Sequence, residues 1–311
     1  MRGGLIASLR PVVKTGAEHT LILSGAAYFR RRQMAGRVLV LAYHNVLPDG
    51  IEIVGDVANH LRLSTFVAQV ASLSTTHEII PLSEALSPSP RSTWPRAVIT
   101  FDDAYRGAVR HAIPELVRRS IPATIFVAPA FLDGRSFWWD ALATSAKGGL
   151  DPALREHALG QCHGDDAAVR AWAAASGYPI SAVPDLHCAA SEEEILYAAT
   201  MRGISLGSHS WSHPNLTGLS PEALVAELTR PLAWLQQRVA APVRWIAYPY
   251  GCVNEVVERA AENAGYEAAL AVDGGWFARS PSDRYALPRT NIPPGLSLNG
   301  FILRASGLLS P

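Results

Sequence analysis

From Arg37 onward, short apolar runs alternate with amphipathic stretches. Val38-Leu39-Val40-Leu41-Ala42-Tyr43 is too short for a helix and rich in branched residues, so it reads as a buried strand. A helix follows, with Ser64 or Thr65 as its cap and Phe66, Val70 and Leu73 on one face. Ala97–Phe101 is a second strand that runs straight into Asp102-Asp103. A helix near Gly107–Arg118 and a third strand, Ala123–Val127, come next. The rhythm breaks between about 131 and 190, where Trp138, Trp139 and Trp172 occur without a clear strand; a helical insertion or lid is expected there. Ser191-Glu192-Glu193-Glu194 is a capping box opening a helix that ends at Gly203. Ile204–Gly207 is a strand leading into Ser208-His209, and Ser220-Pro221 opens a long helix striped by Leu224, Leu228, Leu232, Leu235 and Val239. Arg244–Tyr248 reads as a strand, Asn254–Ala264 as a helix closed by Gly265, Ala268–Val272 as a strand and Arg284–Ile292 as the last.

Buried strands alternating with helices predict an α/β fold with a parallel sheet. About seven such units suit a closed or nearly closed (β/α) barrel, whose chemistry gathers at the C-terminal strand ends. The expected organisation is a basic extension over residues 1–36 and one barrel domain over 37–311, interrupted by the insertion at 131–190.

Composition narrows the partners. The 311 residues are 49% hydrophobic and 17% charged, which excludes a disordered chain. Lys plus Arg and Asp plus Glu are both 27, so the basic excess of a nucleic-acid binder is absent. Cys162, Cys188 and Cys252 form neither a disulfide framework nor a CxxC metal site, and a reducing compartment is expected. The longest apolar candidate near the start, Leu21–Phe29, is half a membrane span and runs into Arg30-Arg31-Arg32. No signal peptide or transmembrane helix is recognised, so the cytoplasm is the expected location. Arg2, Arg10, Lys14, Arg30, Arg31, Arg32 and Arg37 face Glu18 alone in the first 37 residues. That excess suits either a solvated leading helix packed on the domain or a peripheral contact with an anionic membrane.

Three polar clusters follow strands. In Thr100-Phe101-Asp102-Asp103, two adjacent carboxylates cannot both be buried and ionised without a partner. A metal resolves this, with one carboxylate on the cation and the other free to handle protons; a surface turn or helix cap is the plainer reading. In His209-Ser210-Trp211-Ser212-His213-Pro214, two histidines four residues apart can face one point. Two imidazoles and a carboxylate make the usual three-ligand set of a catalytic zinc. The third cluster, Ala247-Tyr248-Pro249-Tyr250-Gly251, can turn a backbone N–H toward the mouth, or can be an ordinary strand-to-helix connection.

Taken in order, Thr100–Asp103, His209-Ser210-x-x-His213-Pro214 and Tyr248-Pro249-Tyr250-Gly251 resemble the first three motifs of the polysaccharide deacetylases, the NodB-homology domain of carbohydrate esterase family 4. Leu41-Ala42-Tyr43-His44-Asn45 resembles the opening strand of many members, and Leu287-Pro288-Arg289 a late segment of one subgroup. The resemblance covers roughly 37 to 295 and implies a deformed (β/α) barrel with metal-dependent removal of acetyl groups from N-acetylated sugars. It implies that Asp103, His209 and His213 hold a divalent metal, expected to be Zn2+. It also makes Asp102 the general base and the Tyr250 backbone N–H an oxyanion donor. The expected partner is a carbohydrate, which Trp138, Trp139, Tyr248 and Pro249 are candidates to contact.

Three positions depart from the family pattern. Ala247 stands where many members carry the arginine that orients the base, and Arg289 is expected to fill that space. No histidine follows His213, where many members place the general acid; His44 is the substitute, or else supports a metal-binding carboxylate. Ala104 replaces a glycine after the second aspartate. The missing acid leaves two alternatives open, a noncatalytic sugar-binding protein and an O-deacetylase on the same metal site.

Overall fold

A strand covered on both faces needs apolar side chains at every position, and β1 (Arg37–Tyr43) is buried at all but its first. The structure, a computed structural model, describes residues 16–87, 94–144, 149–272, 274–278 and 280–309. The leading segment is helical from 16 to 23 and again in α1 (Ala26–Gln33), which ends just before β1. Next come β2 (Asn45–Leu47), β3 (His60–Arg62), α2 (Leu63–Ser74), β4 (Glu78–Ile79) and β5 (Arg96–Phe101). A π-helical turn at Ala108–Ala112 leads into α3 (Ile113–Arg118), followed by β6 (Ala123–Val127). The segment 131–190 holds α4 (Trp138–Leu142), α5 (Pro152–Gly160) and α6 (Asp166–Ala175); residues 145–148 within it lie outside the described residues. The chain continues through α7 (Glu192–Ala199), β7 (Ile204–Ser208), α8 (Pro221–Arg238), β8 (Trp245–Ala247), α9 (Glu255–Ala264), β9 (Ala268–Leu270), β10 (Trp276–Ala278), β11 (Thr290–Asn291) and α10 (Leu298–Ala305).

The main sheet runs β10-β1-β5-β6-β7-β8-β9, parallel except for β10, with β11 on β1 and β4 on β5. It curls into a half-barrel, and the segment 284–292 bridges its open side. Leu287 exchanges backbone hydrogen bonds with Ala269 and Ala271, and Thr290–Asn291 pairs with Leu41–Ala42. Side chains alternate between two cores. Val38, Val40, Val98, Phe126 and Leu270 form one cluster; Leu39, Leu41, Ile99, Phe101 and Ile125 join the other, with Phe66, Val70 and Leu73 of α2. The pairing of β1 with β5 and of β6 with β7 places Tyr43, Phe101, Val127 and Ser208 at one end of the sheet. Every polar cluster therefore opens on the same rim.

Several expectations need correction. Ser64 and Thr65 do not cap α2, which starts at Leu63; Asp49 accepts the Ser64 backbone and hydroxyl hydrogen bonds instead. The Ser191–Glu194 capping box forms, but its helix ends at Ala199, not Gly203. The expected strand 284–292 contracts to Thr290–Asn291 and one bridge at Leu287. The π turn before α3 coincides with Pro114, which cannot donate to the Arg110 carbonyl as an α-helix requires. On the leading segment, Ala27, Met34 and Glu18 are buried, and Glu18 accepts a hydrogen bond from Ser297. Arg2, Arg10 and Lys14 lie outside the described residues. Among the described residues no helix is long and apolar enough to cross a membrane.

Candidate active site

β5 delivers Asp102 and Asp103 to the rim, and the Asp102 amide donates to the Tyr43 carbonyl of β1 at 2.9 Å. Asp103 (φ 65°) and Ala104 (φ 51°) then turn through the left-handed region. Ser210 (φ 61°), His213 (φ 61°) and Tyr250 (φ 58°) do the same on the other two rim loops. Such backbone costs of order 1 kcal/mol or more per non-glycine residue and persists where surrounding structure enforces it. The Ala104 conformation gives a physical reason for glycine at that position in related chains.

Asp103, His209 and His213 are buried and converge. His213 Nε2 lies 3.2 Å from both Asp103 Oδ1 and His209 Nε2, and His209 Nε2 lies 3.5 Å from Asp103 Oδ1. Three tetrahedral ligands at the usual zinc bond lengths would sit about 3.3–3.4 Å from one another, so the spacing fits such an ion. The electrostatics agree. Asp103 Oδ1 is buried without a hydrogen bond among the described residues. His209 Nδ1 lies 2.6 Å from the Ala247 carbonyl, which only accepts, so Nδ1 carries the proton and Nε2 offers a lone pair. Burial pushes the His209 pKa down to about 4, which keeps the imidazole neutral despite the neighbouring carboxylates.

Arg289 reaches Asp102, as expected of it. It is 0% exposed and clamps Asp102 with two hydrogen bonds, Nη1–Oδ1 at 2.7 Å and Nη2–Oδ2 at 2.9 Å. Its Nε donates to the Ala271 carbonyl at 3.1 Å. Burial alone would raise the Asp102 pKa, but the guanidinium charge, helped by His209 and His44, holds the carboxyl well below the usual carboxylate range. Asp102 is thus an ionised carboxylate with a fixed orientation.

Asp102, Asp103, His209 and His213 line a cavity of about 220 Å³ together with His44, Asn59, Trp139, Arg155, Tyr250 and Asn291, whereas Arg289 lies buried behind Asp102 and does not line it. The structure separates the two adjacent indoles. Trp139 reaches the cavity wall, whereas Trp138 is 0% exposed and donates to the Tyr250 hydroxyl at 3.0 Å. Trp138 cannot stack on a bound sugar from that position. Tyr248 and Pro249 are also buried and do not line the cavity; the Tyr248 hydroxyl donates to the Tyr285 carbonyl at 2.9 Å. Asn59, Arg155 and Asn291 lay outside the sequence reading, because none belongs to a strand-end motif. Only the fold brings them to the mouth.

A family model for polysaccharide deacetylase matches residues 91–269. YxkH of Bacillus subtilis (strain 168), whose name marks it as a candidate polysaccharide deacetylase, is 31% identical over 109 residues. That match covers 35% of this chain and only 39% of the relative's own length. Two solved structures share the fold. The Streptococcus pyogenes deacetylase PplD in complex with acetate superimposes with a TM-score of 0.60 at 16% identity, over 86% of this chain and 98% of its own. IcaB from Ammonifex degensii gives 0.59 at 19% identity, over 87% of this chain and 97% of its own.

Proposed function

The chain belongs to the polysaccharide deacetylase family, and from that premise we propose that it hydrolyses the N-acetyl group of a carbohydrate with the help of a divalent metal. The observation that carries this reading is the convergence of Asp103, His209 and His213 beside the clamped Asp102 carboxylate. Bound by those three side chains, the ion would supply Lewis-acid chemistry, acidifying a water and polarising the acetyl carbonyl. The mixed imidazole and carboxylate donors favour zinc.

The chain's own residues do the rest. Asp102 takes the proton of the attacking water, and Arg289 keeps it ionised and aimed between turnovers. As the new C–O bond forms, negative charge develops on the acetyl oxygen, and the backbone amide of Tyr250, a residue that lines the cavity, is the candidate donor to it. The C–N bond then breaks with proton delivery to nitrogen. The proton returns from Asp102, or comes from His44 on the same cavity wall. Acetate and a free amine leave. Trp139 and Arg155 shape the sugar side of the mouth.

The test is acetate release from a panel of N-acetylated and O-acetylated oligosaccharides by apo protein and by protein reloaded with zinc. Metal-dependent release from the N-acetylated set supports the proposal. Release confined to esters would make the protein an O-deacetylase, and stoichiometric metal without any release would make it a sugar-binding relative.

A peripheral membrane contact also gains support from the leading helices. Tyr28, Phe29 and Trp94 are 49%, 66% and 49% exposed, and the Arg31 and Arg32 guanidinium groups each lie 5.8 Å from the Tyr28 ring centre. Among the described residues Arg30, Arg31 and Arg32 form no ion pair with a carboxylate, so this face suits an anionic bilayer. Trp94 precedes β5 and Asp102 follows it, so the catalytic mouth sits at the far end of the strand. Co-sedimentation with phosphatidylglycerol vesicles, lost in Arg30→Glu/Arg31→Glu/Arg32→Glu and absent with phosphatidylcholine, is the expected result.

A further inference from the structure

The two histidines of the candidate metal centre are held in different ways. The Ala247 carbonyl fixes His209 through Nδ1, the usual arrangement for a metal-binding imidazole. His213 Nδ1 is buried and has no hydrogen-bond partner among the described residues. Its ring is held by aromatic faces instead. Tyr250 packs edge-on with centroids 4.7 Å apart, Trp139 lies at 5.0 Å, and Phe137 at 6.4 Å. Trp139 is itself stacked on Phe137, at 4.6 Å with planes 8° apart.

A hydrogen-bond chain through Tyr105 to Asp140 fixes Trp139. Its Nε1 donates to the Tyr105 hydroxyl at 2.7 Å, and that hydroxyl donates to Asp140 Oδ2 at 2.6 Å. Asp140 is fully buried, and its Oδ1 accepts from the Asp56 amide at 2.9 Å and from His60 Nε2 at 3.1 Å. The Asn45 amide donates to His60 Nδ1 at 3.1 Å, which leaves the His60 proton on Nε2, facing Asp140. Three donors converge on a carboxylate that touches neither the cavity nor the ligands. With both of its oxygens satisfied by these donors, the buried Asp140 carboxylate holds one geometry, and the groups that satisfy it are costly to remove.

We infer that Tyr105 and Asp140 are positioning residues that aim His213 at the metal through the indole of Trp139. The aromatic wall takes the place of the missing hydrogen bond to Nδ1. The inference rests on the metal reading above, and its consequence is for metal affinity rather than for proton transfer. Loss of such outer support typically weakens metal binding by about 10–100-fold.

Tyr105→Phe keeps the ring and removes the hydroxyl that links Trp139 to Asp140. Zinc affinity is measured by competition with a chromophoric chelator, on Tyr105→Phe, Trp139→Phe and Tyr43→Phe. Tyr43 is the control, a buried tyrosine whose hydroxyl donates to Gln69 at 3.1 Å, away from the ligands. The expected result is a loss of about tenfold or more in zinc affinity for Tyr105→Phe and Trp139→Phe, with Tyr43→Phe unchanged. Equal affinities in Tyr105→Phe and wild type, or equal losses in Tyr105→Phe and Tyr43→Phe, would overturn the inference. Wild type that binds no zinc would instead overturn the metal reading. If Tyr105→Phe does not fold, Trp139→Phe decides the question by the same comparison.

Discussion

Arg289→Ala is the most informative perturbation of the site, because the side chain is 0% exposed and two of its nitrogens hold a buried carboxylate. Removing one partner of a buried ion pair costs about 3–5 kcal/mol, since the other charge stays behind in a poor solvent. At roughly 2–3 °C per kcal/mol for a chain of this size, the melting temperature should fall by about 6–15 °C at neutral pH. The penalty depends on pH. In the wild type the Asp102 pKa lies below its unfolded value near 4, so its pairing is fully stabilising above that value and is lost as pH falls through the folded one. Without the guanidinium, burial dominates and the folded pKa moves above the unfolded one. Stability is then lost as pH rises from about 4 toward the new value. The stability gap between wild type and variant should therefore be small near pH 4 and widen toward pH 7. The acidic limb of the pH–rate profile should move upward in parallel. Thermal unfolding of the apo proteins across that range, with acetate release from one active substrate, measures both. Arg289→Lys keeps the charge but loses the two-pronged grip and should fall between. A variant that melts with the wild type at pH 7 and keeps its acidic limb would refute the reasoning.

Asp102→Asn should lower kcat by about 10²–10⁴-fold while zinc content stays near that of the wild type, because the residue handles protons; loss of zinc with activity would make it a ligand. Chelation should abolish acetate release and added zinc should restore it, whereas His209→Ala should bind zinc too weakly for the same rescue. Trp139→Ala should raise KM for an oligosaccharide more than for a short substrate, as a cavity-lining side chain would. Trp138→Ala should chiefly destabilise, by about 3–5 kcal/mol, as a core residue would, and denaturant unfolding separates the two.

The fold was legible where burial leaves one choice. Strands covered on both faces, such as β1 and β6, write themselves as short, largely apolar runs rich in branched residues. The late strand was harder, because its pairing depends on the sheet curling far enough for Leu287 to reach β9 and Thr290 to reach β1. That closure has no local pattern. Helix boundaries moved for equally local reasons. Asp49 drew Ser64 away from a capping role, and a short capping-box helix ended well before the next glycine.

The site divides along the same line. Asp102, Asp103, His209 and His213 stand out because charged and imidazole groups at buried strand ends require partners, and Arg289 because Ala247 stands where the family resemblance expects a base-orienting arginine. Left-handed backbone at Asp103, Ala104, Ser210, His213 and Tyr250 was hidden, since only glycine advertises such conformations in a sequence. Asp140 was hidden for a different reason. Its donors come from residues 56, 60 and 105, so nothing adjacent to it announces a buried carboxylate. Sequence patterns show the groups that touch substrate, because chemistry dictates their type. The supports behind them are set by three-dimensional neighbours, and the Asp140–Tyr105–Trp139 chain behind His213 belongs to that second kind.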